Sequence, residues 1–331
     1  MENIFLIDWL GFTCKTFVNE NEVYTVSDII DLLGLGDFTV RWENIYGMHG
    51  YKDRLYFDGI SIHYNGTSST IWVEMSGAGC RTFETISKID FCGLFNILNS
   101  RKDIFHITRL DIAFDEFSGL LQREKLEQET TAGNFVSRFR DIRLEKSFTS
   151  EAFTFYYGSM KSDIMFRIYN KAVERNKQQL IPHWIRFEQQ LRDERAANFI
   201  ECLCYGETIG SAFFGVVNAY LKYLTPNPNN EQKSRWRVAP WWLELLQNSD
   251  IIKLTKCDKE YNELNLHNFV INQAGGAIRT FDILYGDGAI QKALKENIKP
   301  LNSKYQKLIE ESRYKNGKTI QSHDANETIT A

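Results

Sequence analysis

The sequence predicts an α+β fold with a mainly antiparallel central sheet and flanking helices, and three observations carry that expectation. Four separate short segments set polar residues on one side of an apolar strand: Trp72–Arg81, Ile107–Phe117, Phe166–Glu174 and Trp184–Arg192. Strand side chains alternate faces with a period of two, so such a pattern fits strands with one buried face. The stretch Tyr46–Tyr64 alternates and carries glycines, as a β-meander would. Strands and helices are mixed without a regular βαβ alternation, which disfavours a parallel sheet.

In chain order, Ile4–Phe12 reads as a first strand. Ser27 is placed to cap a short helix through Leu33, with Gly34 as its stop. After the meander and the SGAGCR turn, apolar residues at 86, 89, 94, 95 and 98 predict an amphipathic helix over Ile86–Leu98. Residues 118–146 are polar and helical in tendency. Phe153–Tyr157 and Met165–Tyr169 read as strands joined by the Gly158–Asp163 turn. One helix is expected from about Arg192 and another over Ile209–Leu224. The TPNPNN segment at Thr225–Asn230 is the clearest break in the chain. Beyond it, Arg235–Leu246 and Lys292–Tyr314 look helical, and the tryptophans of the former are expected to pack onto the main domain. The expected division is a catalytic domain over 1–225, a helical region over 231–316 and a polar, disordered tail over 317–331.

The 331 residues suffice for a full core, and 43% hydrophobic with 14% aromatic content indicates a globular protein. A formal net charge of −4 does not advertise a nucleic-acid partner, so any basic surface is local. The six cysteines form no CxxC pair and read as reduced thiols. None of the six histidines stands at zinc-ligand spacing from them. The N-terminus is too short and polar for a signal peptide, and no run approaches a membrane span. The expected location is therefore cytoplasmic, with no membrane partner.

Alternation also sorts the chemistry. Leu110, Ile112 and Phe114 fall on one face, and Arg109, Asp111 and Asp115 on the other. Ile185 and Phe187 oppose Arg186 and Glu188; Phe166 and Ile168 oppose Arg167, Tyr169 and Lys171. Asp111, Asp115 and Glu188 are hard oxygen donors that could converge on Mg²⁺ or Mn²⁺. The plainer alternative pairs them with Arg109 and Arg186. For Asp111 that alternative weakens, because carboxylates are poor strand formers. Asp8 is a further candidate ranked lower, because its neighbours do not alternate cleanly. A phenol, with a pKa near ~10, needs help to act as a nucleophile. Tyr169 stands out by having Arg167 and Lys171 nearby, and Tyr156 and Tyr157 compete with it. At SGAGCR, backbone amides and Arg81 could hold a phosphate, although glycines at a turn are commonly just turn residues. No P-loop, GxSxG or HExxH is present.

At these residues the chain resembles the Rep_trans family, the replication initiators of rolling-circle plasmids and phages of Gram-positive bacteria with related conjugative-element relaxases. The resemblance runs over most of residues 5–245, through the ordered strings DWLGFT, YGMHGYKD, VEMSGAGCR, TRLDIAFDEF, FYYGSMKSD, FRIYNKAVE and IRFEQQLR. It implies an HUH-related, metal-dependent nicking and joining enzyme. The nucleophile would be Tyr169 of a YxK motif with Lys171, and the acidic positions would fall on Asp111, followed by Asp115, and on Glu188. The HxH motif of the broader group is absent. Arg81, Arg109, Arg167 and Arg186 would contact phosphates. Origin DNA, partly single-stranded, is the implied substrate; a host helicase and a homodimer are partners compatible with it.

The alternatives are a relaxase with the same chemistry, a non-catalytic origin-binding protein, a phosphodiesterase using water, and a scaffold with a solvated polar face.

Overall fold

The computed structural model describes residues 2–18, 21–22, 24–36, 42–246, 270, 275–296 and 309. The chain divides into two compact units, Met1–Cys257 and Asp258–Ala331.

The first unit is built on a ten-stranded sheet. Its strands are β1 (Ile4–Lys15), β4 (Glu43–Tyr46), β5 (Tyr51–Phe57), β6 (Ile60–Gly66), β7 (Thr70–Met75), β8 (Phe105–Glu116), β10 (Ile142–Lys146), β11 (Phe153–Tyr157), β12 (Ile164–Asn170) and β13 (Ile185–Arg192). A two-stranded ribbon, β2 (Phe17–Val18) with β3 (Asn21–Glu22), follows β1. A smaller sheet joins β9 (Phe135–Ser137), β14 (Leu221–Thr225) and β15 (Arg237–Val238). The large sheet runs β10-β11-β12-β13-β8-β1-β7-β6-β5-β4, and each neighbouring pair is antiparallel.

One face of this sheet makes the core. Phe114 of β8, Phe187 of β13 and Phe166 and Ile168 of β12 are fully buried there. They meet Phe213 and Phe214 of α7 (Ile209–Tyr220), and α6 (Asp193–Cys204) adds Phe199. A one-residue register slip would turn these rings outward, at about 1.5–3 kcal/mol for each large side chain exposed. The register that places the opposite face is thereby strongly specified.

The meander is present as β4–β5–β6. Its tightest turn is Asp58-Gly59, both with positive φ (39° and 87°), the backbone a two-residue hairpin requires. Several helices differ from expectation, each for a local reason. Helix α1 (Val26–Leu32) is capped by Thr25 rather than Ser27, because Thr25 and Asp28 form a reciprocal capping box. The single helix expected over Ile86–Leu98 is two, α2 (Gly77–Ile86) and α3 (Phe91–Ser100). Ser76 caps the first, and the Asp90 carboxylate accepts from Gly93 N at 2.8 Å to start the second. Within the polar 118–146 stretch only α4 (Arg123–Thr131) is helical; β9 and the edge strand β10 occupy the rest. Helix α7 stops at Tyr220, and Leu221–Thr225 is strand. Of Arg235–Leu246, only α8 (Pro240–Leu245) is α-helix; Trp242 is fully buried against Phe187 and Tyr223.

In the second unit, Gly275–Tyr285 and Ala289–Glu296 are helical. The remainder of the expected Lys292–Tyr314 helix, Ile309 apart, and the tail from Gly317 lie outside the described residues. Cys14, Cys80, Cys92 and Cys204 are free. Among the described residues no helix is long and apolar enough to cross a membrane.

Candidate active site

The face opposite the core gathers charge from four adjacent strands, in the order β12, β13, β8, β1. In register, Tyr169 faces Arg186 and Arg167 faces Glu188 across β12 and β13. Arg186 in turn faces Asp115, and Gln190 faces Asp111, across β13 and β8. The side chains here are not solvated. Asp111, Asp115, Arg186, Glu188 and Gln190 are all at most 4% exposed.

Each carboxylate has an arginine. Arg109 donates to both oxygens of Asp111, at 2.9 and 2.6 Å. Arg186 donates to both oxygens of Asp115, at 2.6 and 2.8 Å. Arg167 donates to Glu188 Oε1. Glu188 Oε2, buried, has no hydrogen-bond partner. Burial raises the Asp111 carboxyl against the pull of Arg109, with Asp8 adding to the rise. Burial likewise raises Glu188, partly offset by Arg167 and reinforced by Asp111 and Asp8. Both carboxyls are therefore held above their usual range by burial first, with the neighbouring carboxylates a smaller contribution.

Asp8 enters through an irregularity. The β1/β8 register shifts between Ile7 and Trp9, so Asp8 is the extra residue of a β-bulge. Bulges re-aim side chains, which is why Asp8 breaks the alternation yet faces the charged set. Its Oδ2 lies 3.0 Å from Arg186 Nη1, an ion pair without hydrogen-bond alignment. Gly77 of α2 leaves it room, since a Cβ there would stand 3.0 Å from Asp8 Oδ1.

Tyr169 is half-buried near the end of β12. The strand ends at Asn170, whose side chain accepts from Val173 N at 3.1 Å and caps α5 (Lys171–Glu174). Lys171 is thus not on the strand face as expected. Its ammonium nevertheless turns back to donate to Tyr169 Oη at 3.3 Å, and it also contacts Glu174 at 2.5 Å. Burial holds the phenol well above its usual range; Glu188 adds to that, and Arg186 opposes it. Burial also lowers Lys171, against its bond to Glu174. The competing tyrosines separate cleanly. Tyr157 is fully buried on the core side, with its hydroxyl 2.7 Å from that of Tyr223. Tyr156 is half-buried opposite Arg167, on the charged face but one strand further out than Tyr169.

Family models match both parts of this frame. "Replication initiation factor" matches residues 105–298, and "Rolling Circle replication initiation protein N-terminal domain" matches residues 5–100. The chain belongs to the replication initiation factor family. It is similar to NicK of Bacillus subtilis (strain 168), named as an inferred DNA relaxase, with 26% identity over 215 residues. That match spans 60% of this chain and 60% of the relative's own length. A solved rolling circle replication initiator protein from Geobacillus stearothermophilus is 28% identical, with a TM-score of 0.68, over 76% of this chain and 98% of that one.

Of the residues expected from the sequence, the sheet brings Tyr169, Asp111, Asp115, Glu188, Arg109, Arg167 and Arg186 to one face, and Lys171 reaches it from α5. Arg81 is placed apart from their hydrogen bonds: it donates to Ile7 O at 2.8 Å and pairs with Glu84 at 2.6 Å. The SGAG glycines serve close packing, since a Cβ at Gly79 would stand 2.2 Å from Gly59 O. Sequence reasoning missed Gln190. It shares the parity of Arg186 and Glu188, and its Nε2 is buried without a partner beside Asp111. Being uncharged, it did not stand out.

Proposed function

We propose that this initiator-family protein nicks one strand of origin DNA by transesterification and rejoins it. The observation that carries the reading is Tyr169, a half-buried phenol with Lys171 at hydrogen-bond distance and Arg186 opposite it in register. A structural tyrosine needs neither cation.

In this reading a single strand lies along the charged face. Tyr169 Oη forms a bond to the scissile phosphorus as the bond to the 3′ oxygen breaks. The phenol gives up its proton and the departing oxygen gains one, leaving a 5′-phosphotyrosine and a free 3′ hydroxyl. Lys171 and Arg186 stabilise the phenolate. Arg109, Arg167 and the unpartnered Nε2 of Gln190 meet phosphate oxygens. The bond energy is conserved, so reversal rejoins the strand without ATP. The nick itself unwinds no duplex, so a host helicase is a partner compatible with extending the 3′ end rather than one the cleavage step requires.

A divalent cation fits the donor set. The donors are hard carboxylate oxygens suited to Mg²⁺ or Mn²⁺, and one of them, Glu188 Oε2, is buried and unpaired. Among the described residues no three acidic, histidine or cysteine side chains already converge as a cage, so holding an ion requires the carboxylates to share or release their arginines. Glu188, Asp111 and the bulge residue Asp8 are assigned to it. Asp115, expected among the ligands, is assigned instead to holding Arg186, which occupies both its oxygens. When bound, the cation supplies Lewis-acid polarisation of a phosphate oxygen.

The test incubates wild type and Tyr169→Phe with supercoiled DNA carrying the element's own origin, with Mg²⁺ or Mn²⁺, and resolves the products under denaturing conditions. A nick with a protein–DNA adduct in wild type alone is expected. Cleavage retained by the variant would move the nucleophile to Tyr156 or to water. The similarity to NicK supports a second reading, a relaxase with the same chemistry; genes for DNA transfer beside this one would favour it.

A further inference from the structure

The charged face continues past Asp111 onto β1 and β7, and there it becomes aromatic. Trp9 stands opposite Asp111 in the β1/β8 register, and Trp72 opposite Thr13 across β1 and β7. With Tyr51, His49, Glu74 and Arg109 they wall an open cavity of about 410 Å³. Its lining includes Gly11, where a Cβ would stand 2.8 Å from Thr108 Oγ1, so a side chain at that position would encroach on the cavity.

Indoles usually serve burial. Here two of them are half-buried on the side of the sheet away from its core. They are also held in place. His63 stacks on Trp72 at 4.4 Å and 22° without joining the cavity wall, and His49 meets the same indole edge-on at 5.2 Å. The Arg109 guanidinium lies 4.3 Å from the centre of the Trp9 ring while bonded to Asp111. Arg192 completes the rim, and its Nε is buried without a partner. Rigid aromatic faces beside arginines are the combination that binds an unstacked base and its phosphates.

We propose that this cavity takes one unpaired nucleobase of the strand that Tyr169 attacks, stacked on Trp72, with Arg109 and Arg192 at its phosphates and Glu74 accepting from an exocyclic amino group. The inference rests on the nicking reading for the identity of that strand. From β12 to β1 is three strand spacings, or roughly 15 Å, so the base lies a few nucleotides from the scissile phosphate. A carboxylate acceptor favours cytosine, adenine or guanine over thymine, which carries no amino group. Only a melted strand can fill the cavity, so occupancy would hold the origin open at the nick.

The test is fluorescence anisotropy of full-length protein with labelled oligodeoxycytidine, oligodeoxyadenosine, oligothymidine and an abasic oligomer of equal length. Wild type is expected to prefer the amino-bearing bases and to bind the abasic strand most weakly. Trp72→Ala should lose about 5- to 150-fold on base-bearing strands and little on the abasic one. Glu74→Gln should erase the preference over thymine while keeping overall affinity. Trp72→Leu, checked by thermal melting, guards against a folding defect in the alanine variant. Equal binding of abasic and base-bearing strands by wild type would overturn the proposal, as would a uniform loss on all four strands in a folded Trp72→Leu. Adduct formation at the origin without any base preference would sink the cavity and leave the nicking reading intact. A base preference without adduct would do the reverse.

Discussion

Arg186 is the buried cation on which the charged face depends, and replacing it with methionine tests that dependence. The side chain is 5% exposed, binds both oxygens of Asp115 and lies 3.0 Å from Asp8. Burial alone would lower its pKa, but Asp115 and Asp8 hold it above the usual guanidinium range, so it stays charged. Arg186→Met keeps the volume and removes the charge, leaving Asp115 buried without either of its two bonds. Breaking such a pair from one side costs about 3–5 kcal/mol. For a unit of this size that corresponds to a melting temperature lowered by roughly 6–20 °C. The assay is urea and thermal unfolding followed by circular dichroism near neutral pH. Adding Asp115→Asn should recover part of the loss, about 1–3 kcal/mol, because the second change removes the stranded charge. A loss below ~1 kcal/mol, the value of an exposed pair, would refute the reasoning by showing that water reaches these carboxylates.

Further outcomes follow from other residues. Tyr157→Phe should leave adduct formation unchanged and cost about 1 kcal/mol in urea unfolding, because it removes one buried hydroxyl contact with Tyr223; lost adduct would return Tyr157 to the list of nucleophiles. Burial would raise Glu116, yet bonds from His183, Ser118 and Leu121 hold it down to about 2 from 4.5. A depressed carboxylate contributes stability above its unfolded pKa and loses it as pH falls toward the folded one, so up to ~3 kcal/mol should vanish between pH 4.5 and 2. Urea midpoints across that window should fall steeply in wild type and less in Glu116→Gln. Gly79→Ala should destabilise by about 1–3 kcal/mol or more, measured by thermal melting, since its Cβ would meet Gly59 O at 2.2 Å.

The long strands were legible because their alternation is strict. In β8 and β13 the period-two pattern alone puts Asp111, Asp115, Arg186 and Glu188 on one face, and the sheet carries out that pattern. Asp8 was harder to see, because a bulge adds a residue and breaks the period that identifies a face. Helix boundaries were misplaced where apolar spacing was weighed above capping: Ser76 and Asp90 start α2 and α3, whatever the periodicity of Ile86–Leu98 suggests. Edge strand β10, Ile142–Lys146, is no shorter than β11 but carries three charged residues where β11 carries four aromatic ones, so the helical tendency around it outweighed its alternation. Arg109 and Asp111 pair within β8, but which partner Arg167 and Arg186 meet depends on cross-strand register, and a single sequence does not encode that locally. The aromatic cavity was invisible for the same reason: Trp9 and Trp72 are 63 residues apart and meet only through β1 and β7.

The sheet order also governs when this chemistry can exist. Asp8 sits on β1, which pairs with β8, while Tyr169 and Glu188 arrive on β12 and β13. A chain that ends at β8 contains Asp8, Asp111 and Asp115 but neither the Tyr169 phenol nor Glu188. The assembly closes when β13, inserted between β12 and β8, completes the sequence-distant pairings. In the proposed nicking reading, chains that stop before Ile185 lack Arg186 and Glu188 and should form no adduct with origin DNA.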